Sequence, residues 1–225
     1  MSIAFFKFFT GLRLKLFPRP LRVIVYIDGF NLYFGMKEKK WQRYYWLNIR
    51  DLSLKLLKPN QILKGVKYFT SRVSSTPNDP DKATRQNEIL EAIETLTDTK
   101  IFYGHYLTNS VKCFNCKKIW TAPDEKMTDV NIATELLIDA FQDKFDVAIL
   151  ISGDSDLAPA IQSIKKIFKN KQTIIFFPPK RVSKHLRKIE EMSFTLGRKL
   201  LADSQFPEEV LKPNGLKLKR PPLWN

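Results

Sequence analysis

Residues 22–28 read Arg-Val-Ile-Val-Tyr-Ile-Asp, a run of β-branched and aromatic residues that stops abruptly at an Asp-Gly pair. A second apolar run, Val-Ala-Ile-Leu-Ile at 147–151, stops in a similar way at Ser-Gly-Asp-Ser-Asp, residues 152–156. Short continuous apolar runs of this kind are typical of strands that are buried on both faces of a parallel sheet. These two segments therefore indicate an α/β fold, and they place polar residues directly after two of its strands.

The segments around these two runs alternate between strand and helix patterns. The sequence predicts five strands in all, at residues 22–27, 66–73, 101–107, 146–151 and 173–177. Apolar residues at helical spacing lie between them, at 48–57, 81–97, 128–141 and 157–168. Such alternation favours a parallel sheet with helices on both faces, which is a three-layer α/β sandwich.

The ends of the chain differ from this central pattern. We predict an aromatic and basic N-terminal extension at residues 1–21, one α/β domain at 22–210 and an extended C-terminal tail at 211–225. The N-terminal extension is expected to pack on the domain or on another subunit of a homo-oligomer. Contact with a membrane surface is the less favoured interpretation of its short amphipathic pattern.

Composition and charge limit the classes of function. The chain has 225 residues and a formal net charge of +15, which favours a polyanionic partner, with nucleic acid first. Two cysteines exclude a disulfide scaffold and predict a reducing, cytoplasmic location. Residues 121–161 carry a net charge of −7 and residues 162–200 one of +9, so an acidic segment adjoins a basic one.

The positions of the carboxylates give this acidic segment a chemical meaning. Asp28 ends the first strand, and Asp154 and Asp156 follow the fourth. If those strands are neighbours, their carboxylates converge at the carboxyl edge of the sheet, where open α/β folds bind ligands. Asp129, in the first turn of a helix, would be a fourth member, and Asn31 a neutral oxygen ligand or a group that positions water. Oxygen ligands alone point to Mg²⁺ or Mn²⁺.

A purely structural interpretation remains open for each of these aspartates. Aspartate after a strand often serves in a turn or as a helix N-cap. The chain lacks a glycine-rich dinucleotide motif after its first strand and a Gly-Lys-Ser/Thr phosphate loop, which excludes two common kinds of phosphate site.

Three motifs in this order resemble the NYN domain family of PIN-like, metal-dependent ribonucleases. They are Val-Ile-Val-Tyr-Ile-Asp-Gly-Phe-Asn at 23–31, Glu-Lys-Met-Thr-Asp-Val-Asn-Ile-Ala at 125–133 and Ile-Leu-Ile-Ser-Gly-Asp-Ser-Asp-Leu-Ala-Pro at 149–159. The similarity is greatest to the LabA-like branch. It implies a PIN-like Rossmannoid sheet of order 3-2-1-4-5, and it implies that Asp28, Asp129, Asp154 and Asp156 hold Mg²⁺ or Mn²⁺.

These observations together predict a metal-dependent ribonuclease. The metal would activate water for in-line attack on an RNA phosphodiester, while Asn31 and Ser152 would position ligands or water. Two alternatives stay open: an RNA-binding or adaptor module with little turnover, and a DNA nuclease or phosphoester hydrolase. The RNA backbone is expected to contact the basic residues Lys165, Lys166, Lys169, Arg181, Lys184 and Arg187.

A second metal site is considered at the cysteines. Cys113 and Cys116 have the spacing of a zinc knuckle, and His105 could supply a third ligand. A structural zinc needs four ligands, so reduced thiols are favoured over bound zinc.

Overall fold

The structure of the protein, a computed structural model, describes residues 19–224 except residues 113, 115 and 118, and for 105–112 and 119–126 it describes the backbone alone. The strands are β1 (Leu21–Asp28), β2 (Gln61–Thr70), β3 (Thr99–Tyr103), β4 (His105–Lys112), β5 (Ile119–Lys126), β6 (Val147–Ile151), β7 (Gln172–Phe177), β8 (Ser193–Thr195), β9 (Glu209–Leu211) and β10 (Lys217–Lys219). The α-helices are α1 (Gly29–Glu38), α2 (Ile49–Lys55), α3 (Lys82–Glu94), α4 (Thr128–Phe141), α5 (Ala158–Ile167), α6 (Lys184–Ile189) and α7 (Arg198–Ala202).

Six of the strands form one sheet in the order β3-β2-β1-β6-β7-β8, and every neighbouring pair in it is parallel. The predicted α/β fold is therefore confirmed, and its five predicted strands occur in the predicted order. The sixth strand, β8, was not predicted. Its three residues, Ser-Phe-Thr, are too few and too exposed to produce a recognisable apolar pattern.

Apolar side chains cover both faces of this sheet, which explains the unbroken apolar runs in the sequence. Along β1, Val23, Val25 and Ile27 face a core that includes residues of α1, α2, α3 and α7. Ile24 and Tyr26 face a second core, formed with α4, α5 and α6. The alternation follows from the twofold period of a strand and gives the three-layer architecture.

A partly buried ion cluster fixes the amino ends of β1 and β6 against each other. The Asp146 carboxylate accepts hydrogen bonds from the Arg19 guanidinium at 2.7 and 2.9 Å. It also accepts from the Arg22 backbone N–H at 2.8 Å and from the Arg22 guanidinium at 3.0 and 3.1 Å. These bonds, first from Arg22 and then from Arg19, hold the pKa of Asp146 well below its ordinary value. The cluster sets the start of both strands and thereby aligns their far ends.

Helix α4 is tied to the same central strand by a buried hydrogen bond. The Tyr26 hydroxyl donates to Asp139 Oδ2 at 2.7 Å, and Asp139 also pairs with Lys67 of β2. Burial, followed by the nearby Asp139 charge, raises the pKa of Tyr26, so this hydroxyl stays protonated and remains a donor. Helix α4 is thus fixed to β1 and β2.

Two parts of the chain differ from the sequence predictions. Residues 105–107 do not extend the third strand, because β3 ends at Tyr103 and His105 begins β4, which pairs antiparallel with β5. The predicted extended tail is also wrong, because β9 and β10 form an antiparallel hairpin. After it, Trp224 packs against Tyr45 and Trp46, with ring centroids 5.6 and 6.4 Å apart. Burial of this indole in the core gives the tail its fixed path.

Within the described residues, no helix combines the length and the apolar character needed to cross a membrane.

Candidate active site

The carboxyl ends of β1 and β6 bring Asp28 and Ser152 together. Ile27 and Ile151 are the last paired residues of the two parallel strands, so the residues that follow them are adjacent. Ser152 Oγ donates to Asp28 Oδ2 at 2.9 Å, and both residues are buried. The sequence-based expectation that the first and fourth predicted strands are neighbours is thereby confirmed.

The same hydroxyl connects Asp28 to the second acidic segment. Ser152 Oγ accepts a hydrogen bond from the Asp154 backbone N–H at 3.0 Å, while it donates to Asp28. The Asp154 Oδ1 atom in turn accepts from the Asp156 backbone N–H at 2.9 Å. One buried serine therefore sets the position of the first carboxylate and of the loop that carries the other two.

Asp28 and Asp154 are also helix caps, as the structural interpretation allowed. Asp28 Oδ1 accepts from the Asn31 backbone N–H at 2.9 Å at the start of α1. Asp154 performs the same role for the short 3-10 turn at Ser155–Leu157. Capping and a functional role are compatible here, because each carboxylate oxygen has two lone pairs and can bind a ligand while it accepts one hydrogen bond.

Asn31 contacts the loop after β6 through its side chain. Its Oδ1 atom accepts a hydrogen bond from the Gly153 backbone N–H at 3.0 Å. This bond uses one of the two lone pairs of the amide oxygen, so Asn31 can still offer both its amide NH₂ and its oxygen to a ligand. The predicted role of Asn31 as an oxygen ligand or as a group that positions water stays a prediction.

Gly153 is a position where the backbone of another segment leaves no room for a side chain. A Cβ atom there would lie 1.7 Å from the carbonyl oxygen of Arg181. The loop that follows β7 therefore packs directly on the loop that follows β6. The requirement for glycine comes from this close approach, which the sequence alone does not reveal.

The direction of α4 places Asp129 at the same edge. Beyond the C-terminal end of this helix, the Asp146 backbone N–H donates to the carbonyl oxygen of Arg22, at the amino end of β1. Helix α4 therefore runs antiparallel to β6, and its first turn, with a half-buried Asp129, lies at the carboxyl edge. Thr128 is the first residue of this helix, and Met127 precedes it with a φ of 77°.

The four aspartates thus share one edge, but they do not form a closed cage. Among the described residues, no group of three His, Cys, Asp or Glu side chains is arranged to hold a metal ion. Mg²⁺ in proteins commonly takes only one or two carboxylates and completes its shell with water and substrate phosphate. The oxygen-only donor set at this edge is compatible with that type of ion.

The predicted zinc ligands cannot be assembled from the described residues. Cys113 and the side chain of His105 lie outside them, and Cys116 has an exposed thiol. The zinc alternative stays a prediction.

Tyr68 belongs to the site although sequence reasoning did not select it. A Cβ atom at Gly29 would lie 2.6 Å from both Cζ and Oη of Tyr68, so the phenol lies against the residue that follows Asp28. Burial, followed by the negative charge of Asp28, raises the pKa of Tyr68. The hydroxyl is therefore a protonated donor beside the acidic edge. No local pattern distinguishes this tyrosine from other strand aromatics, and only the register of β1 and β2 identifies it.

A cavity of about 290 Å³ lies next to Tyr68, on the face of the sheet covered by α1 and α3. Gly29 and Tyr68 form the part of its lining closest to Asp28, and Tyr33, Ile89 and Trp224 form other parts. We refer to it as the α1/α3 cavity.

The basic residues predicted to bind RNA fall into two separate groups. Arg181 contacts Gly153, and Ser183 caps helix α6, which begins at Lys184 and includes Arg187. In contrast, Lys165 and Lys166 lie in the last turn of α5, and Lys169 follows that helix. Because α5 starts near the carboxyl edge and has ten residues, its far end is about 15 Å away.

The six basic residues therefore do not all lie at the carboxyl edge, and their predicted contacts with RNA stay a prediction. The Lys165 ammonium donates to the carbonyl oxygen of Ile189 at 2.8 Å and lies 3.4 Å from the Glu190 carboxylate. In the nearer group, Arg181 pairs with Glu38 of α1, while Lys184 is exposed. Helical periodicity placed the lysines on one face but did not show which end of the sheet they reach.

Comparisons with known proteins relate this geometry to other chains. A 6-hydroxy-3-succinoylpyridine 3-monooxygenase, HspA, from Pseudomonas putida is 28% identical, and the match covers 67% of this chain. The matched region spans 58% of the length of that relative. The crystal structure of a protein of unknown function from Vibrio parahaemolyticus has a TM-score of 0.51 at 17% identity, covering 81% of this chain and 96% of the other. The similarity to the Vibrio parahaemolyticus structure shows a shared fold.

The family comparison covers the sheet and both acidic segments. The sequence matches the NYN domain over residues 22–196, which include β1, the first turn of α4 and the loop after β6. Asp28, Asp129, Asp154 and Asp156 all lie within the matched region. The chain belongs to the NYN domain family.

Proposed function

We propose that this protein is a metal-dependent ribonuclease that hydrolyses RNA phosphodiester bonds at the carboxyl edge of β1 and β6. The observation that carries the proposal is the Ser152 hydroxyl, which joins Asp28 to the Asp154 loop at 2.9 and 3.0 Å. Membership of the NYN domain family and the net charge of +15 support it.

Asp28, Asp129, Asp154 and Asp156 are the residues that would hold Mg²⁺ or Mn²⁺. A bound divalent ion would stabilise the charge that develops on the phosphate and lower the pKa of a water ligand. All four side chains provide hard oxygen donors, which these ions prefer.

The remaining residues of the site have roles that follow from their hydrogen bonds. Ser152 is a positioning residue, because it fixes Asp28 and the Asp154 backbone at once. Asn31, anchored by Gly153, directs its amide donors to a phosphate oxygen or to the attacking water. Tyr68 supplies a further neutral donor beside Asp28. Donors that are fixed before the substrate arrives need no reorganisation during the reaction.

The RNA backbone is proposed to approach along the group formed by Arg181, Lys184 and Arg187. These cations adjoin the loop after β6, and phosphate contacts of this kind bind RNA without reading its sequence. The group at Lys165, Lys166 and Lys169 is assigned no contact with the phosphate that is cleaved.

One assay separates catalysis from simple binding. Full-length protein is incubated with end-labelled single-stranded RNA and the matching DNA, each with Mn²⁺, with Mg²⁺ and with EDTA. Cleavage of RNA that requires the metal supports the proposal. Binding of RNA without cleavage in any metal would identify an RNA-binding module, and preferential cleavage of the DNA would identify a deoxyribonuclease.

The relative named as a monooxygenase favours a second candidate function, in which the chain acts on a small aromatic acid. The α1/α3 cavity is of a size for one ring system, and this observation makes the candidate worth testing. A monooxygenase consumes O₂ together with a two-electron donor. Uptake of O₂ that depends on both 6-hydroxy-3-succinoylpyridine and a reduced nicotinamide, in a protein that does not cleave RNA, would select this candidate.

A further inference from the structure

The α1/α3 cavity is a preformed site for one small ring system. Its volume of about 290 Å³ lies at the lower end of the range of roughly 300–1,000 Å³ typical of small-molecule pockets. The lining is mainly apolar and aromatic, with side chains of Phe30, Tyr33, Tyr68, Ile89 and Trp224. Aromatic walls of this kind stack on nucleobases of any sequence, since every base has a π face.

Polar groups in the lining are divided between those already engaged and those available to a ligand. Arg85 pairs with Asp79, and Gln86 binds the backbone at Ser71 and Val73 through both ends of its amide. Lys82, in contrast, forms no ion pair with any described residue. An anionic group in the cavity could therefore pair with the Lys82 ammonium, since the Asp79 carboxylate in the same lining is paired with Arg85.

The cavity adjoins the acidic edge through two residues. Gly29 follows Asp28 in the chain and lines the cavity, and the phenol of Tyr68, which also lines the cavity, lies against Gly29. A ring in the cavity would thus lie within one nucleotide of a phosphate at the carboxyl edge. A volume of about 290 Å³ is sufficient for one base.

We propose that the α1/α3 cavity binds a single nucleobase of the RNA substrate, next to the phosphate that is cleaved, with Lys82 contacting the phosphate of the same nucleotide. This proposal rests on the ribonuclease function proposed above. It adds a contact with a base, which phosphate contacts alone do not provide.

Binding of mononucleotides tests the cavity independently of catalysis. Full-length protein is titrated calorimetrically, in EDTA, with uridine, cytidine, adenosine and guanosine 5′-monophosphates, with the four nucleosides, and with pyridine-3-carboxylate as a free aromatic acid. The titration is performed without divalent metal and therefore does not depend on RNA cleavage. The cavity proposal and the ribonuclease proposal can thus fail independently of each other.

Two pairs of variants locate the binding. Ile89→Trp fills the cavity and is expected to weaken binding of the preferred nucleotide by about tenfold or more, because the indole occupies the volume that the base needs. Ile62→Trp, on an exposed position of β2 outside the cavity, is the matched control. Lys82→Gln should weaken the monophosphate by about fivefold and leave the nucleoside unchanged, whereas Lys64→Gln should change neither.

Several results would overturn the proposal. They are the absence of nucleotide binding by the wild-type protein, unchanged binding by a folded Ile89→Trp variant, or binding of pyridine-3-carboxylate without binding of nucleotides. The last result would assign the cavity to free aromatic acids. If Ile89→Trp does not fold, the proposal is tested by Lys82→Gln and its control, Lys64→Gln. An equal loss of affinity for the nucleotide and the nucleoside in Lys82→Gln would reject the phosphate contact.

Discussion

Asp28 and Asp154 each accept a capping hydrogen bond and are each a candidate catalytic residue. Substitution by asparagine keeps an oxygen for the cap but removes the charge, so it separates these two roles. Asparagine caps helices about as well as aspartate, so Asp28→Asn and Asp154→Asn should change the free energy of unfolding by about 1 kcal/mol or less. Loss of the carboxylate charge should reduce metal-dependent RNA cleavage by roughly 100-fold or more, since several kcal/mol of transition-state stabilisation is removed. Cleavage rates and urea unfolding of the same preparations check both parts.

The matched control for these variants is Asp81→Asn, at an exposed N-cap position that makes no capping hydrogen bond. It should leave both cleavage and stability unchanged. Cleavage at the wild-type rate by Asp28→Asn or Asp154→Asn, in preparations free of contaminating nuclease, would remove the nuclease assignment from this edge.

Gly153 allows a second test at the scale of a residue. A methyl group there would collide with the Arg181 carbonyl, so Gly153→Ala must displace one of the two loops. We expect a decrease of about 1–3 kcal/mol in the free energy of unfolding, as for other overpacked sites, together with a large decrease in RNA cleavage. Gly197→Ala is the control, because a Cβ atom at Gly197 meets no atom within 4 Å. Equal free energies of unfolding and equal cleavage rates for the two variants would contradict the close contact between Gly153 and Arg181.

At the scale of elements, the Asp146 cluster joins β1 to β6 and gives stability a defined dependence on pH. Asp146 has a lowered pKa in the folded state, so its contribution is complete above the ordinary carboxyl pKa and is lost as the pH falls toward the lowered one. Asp146→Asn should therefore cost roughly 1.5–3 kcal/mol at pH 7, and the difference from the wild type should shrink steadily below about pH 4.

Urea unfolding at pH 7, 5, 3 and 2 measures this difference. Asp51→Asn removes an exposed i,i+4 partner of Lys55 and should cost no more than about 0.5 kcal/mol at any of these values. A difference between Asp146→Asn and the wild type that grows as the pH falls would show that the carboxylate does not contribute in the way described.

The strands and their order were predictable because their residues are buried on both faces, which leaves a local apolar signature. The same reasoning predicted that Asp28 and the Asp154 loop share an edge. The fixed path of the C-terminal segment was not predictable, because Trp224 packs against Tyr45 and Trp46, which are far away in the chain. Tyr68 and Gly153 were missed for the same reason, since their roles arise from contacts between segments that no local pattern records.

At the scale of the whole molecule, a net charge of +15 favours RNA, but the placement of the charges decides which of them matter. Lys184, near the carboxyl edge, should contact the backbone, whereas Lys166 lies at the far end of α5. Lys184→Glu should weaken binding of single-stranded RNA to a similar extent for different sequences. A plot of log affinity against log salt concentration should also become less steep, by about 0.7 in slope for each phosphate that the variant no longer neutralises.

Fluorescence titrations of labelled RNA between low and moderate salt give both quantities. Lys166→Glu makes the same change of charge and should leave the salt dependence close to that of the wild type. If the two variants weaken binding equally, RNA responds to the total charge of the molecule and does not follow the path proposed at the carboxyl edge.

The central position of β1 and β6 has a consequence for hydrogen exchange. Amide protons in strands this deeply buried exchange with deuterium only when the whole domain unfolds, and Asp28 and Ser152 are attached directly to them. Trp224, in contrast, belongs to a three-residue turn outside the sheet, whose amides should exchange through local opening. Such exchange would mean that the Trp224 wall of the α1/α3 cavity opens while the strands stay folded, and a base could then enter and leave while the carboxylates keep their positions.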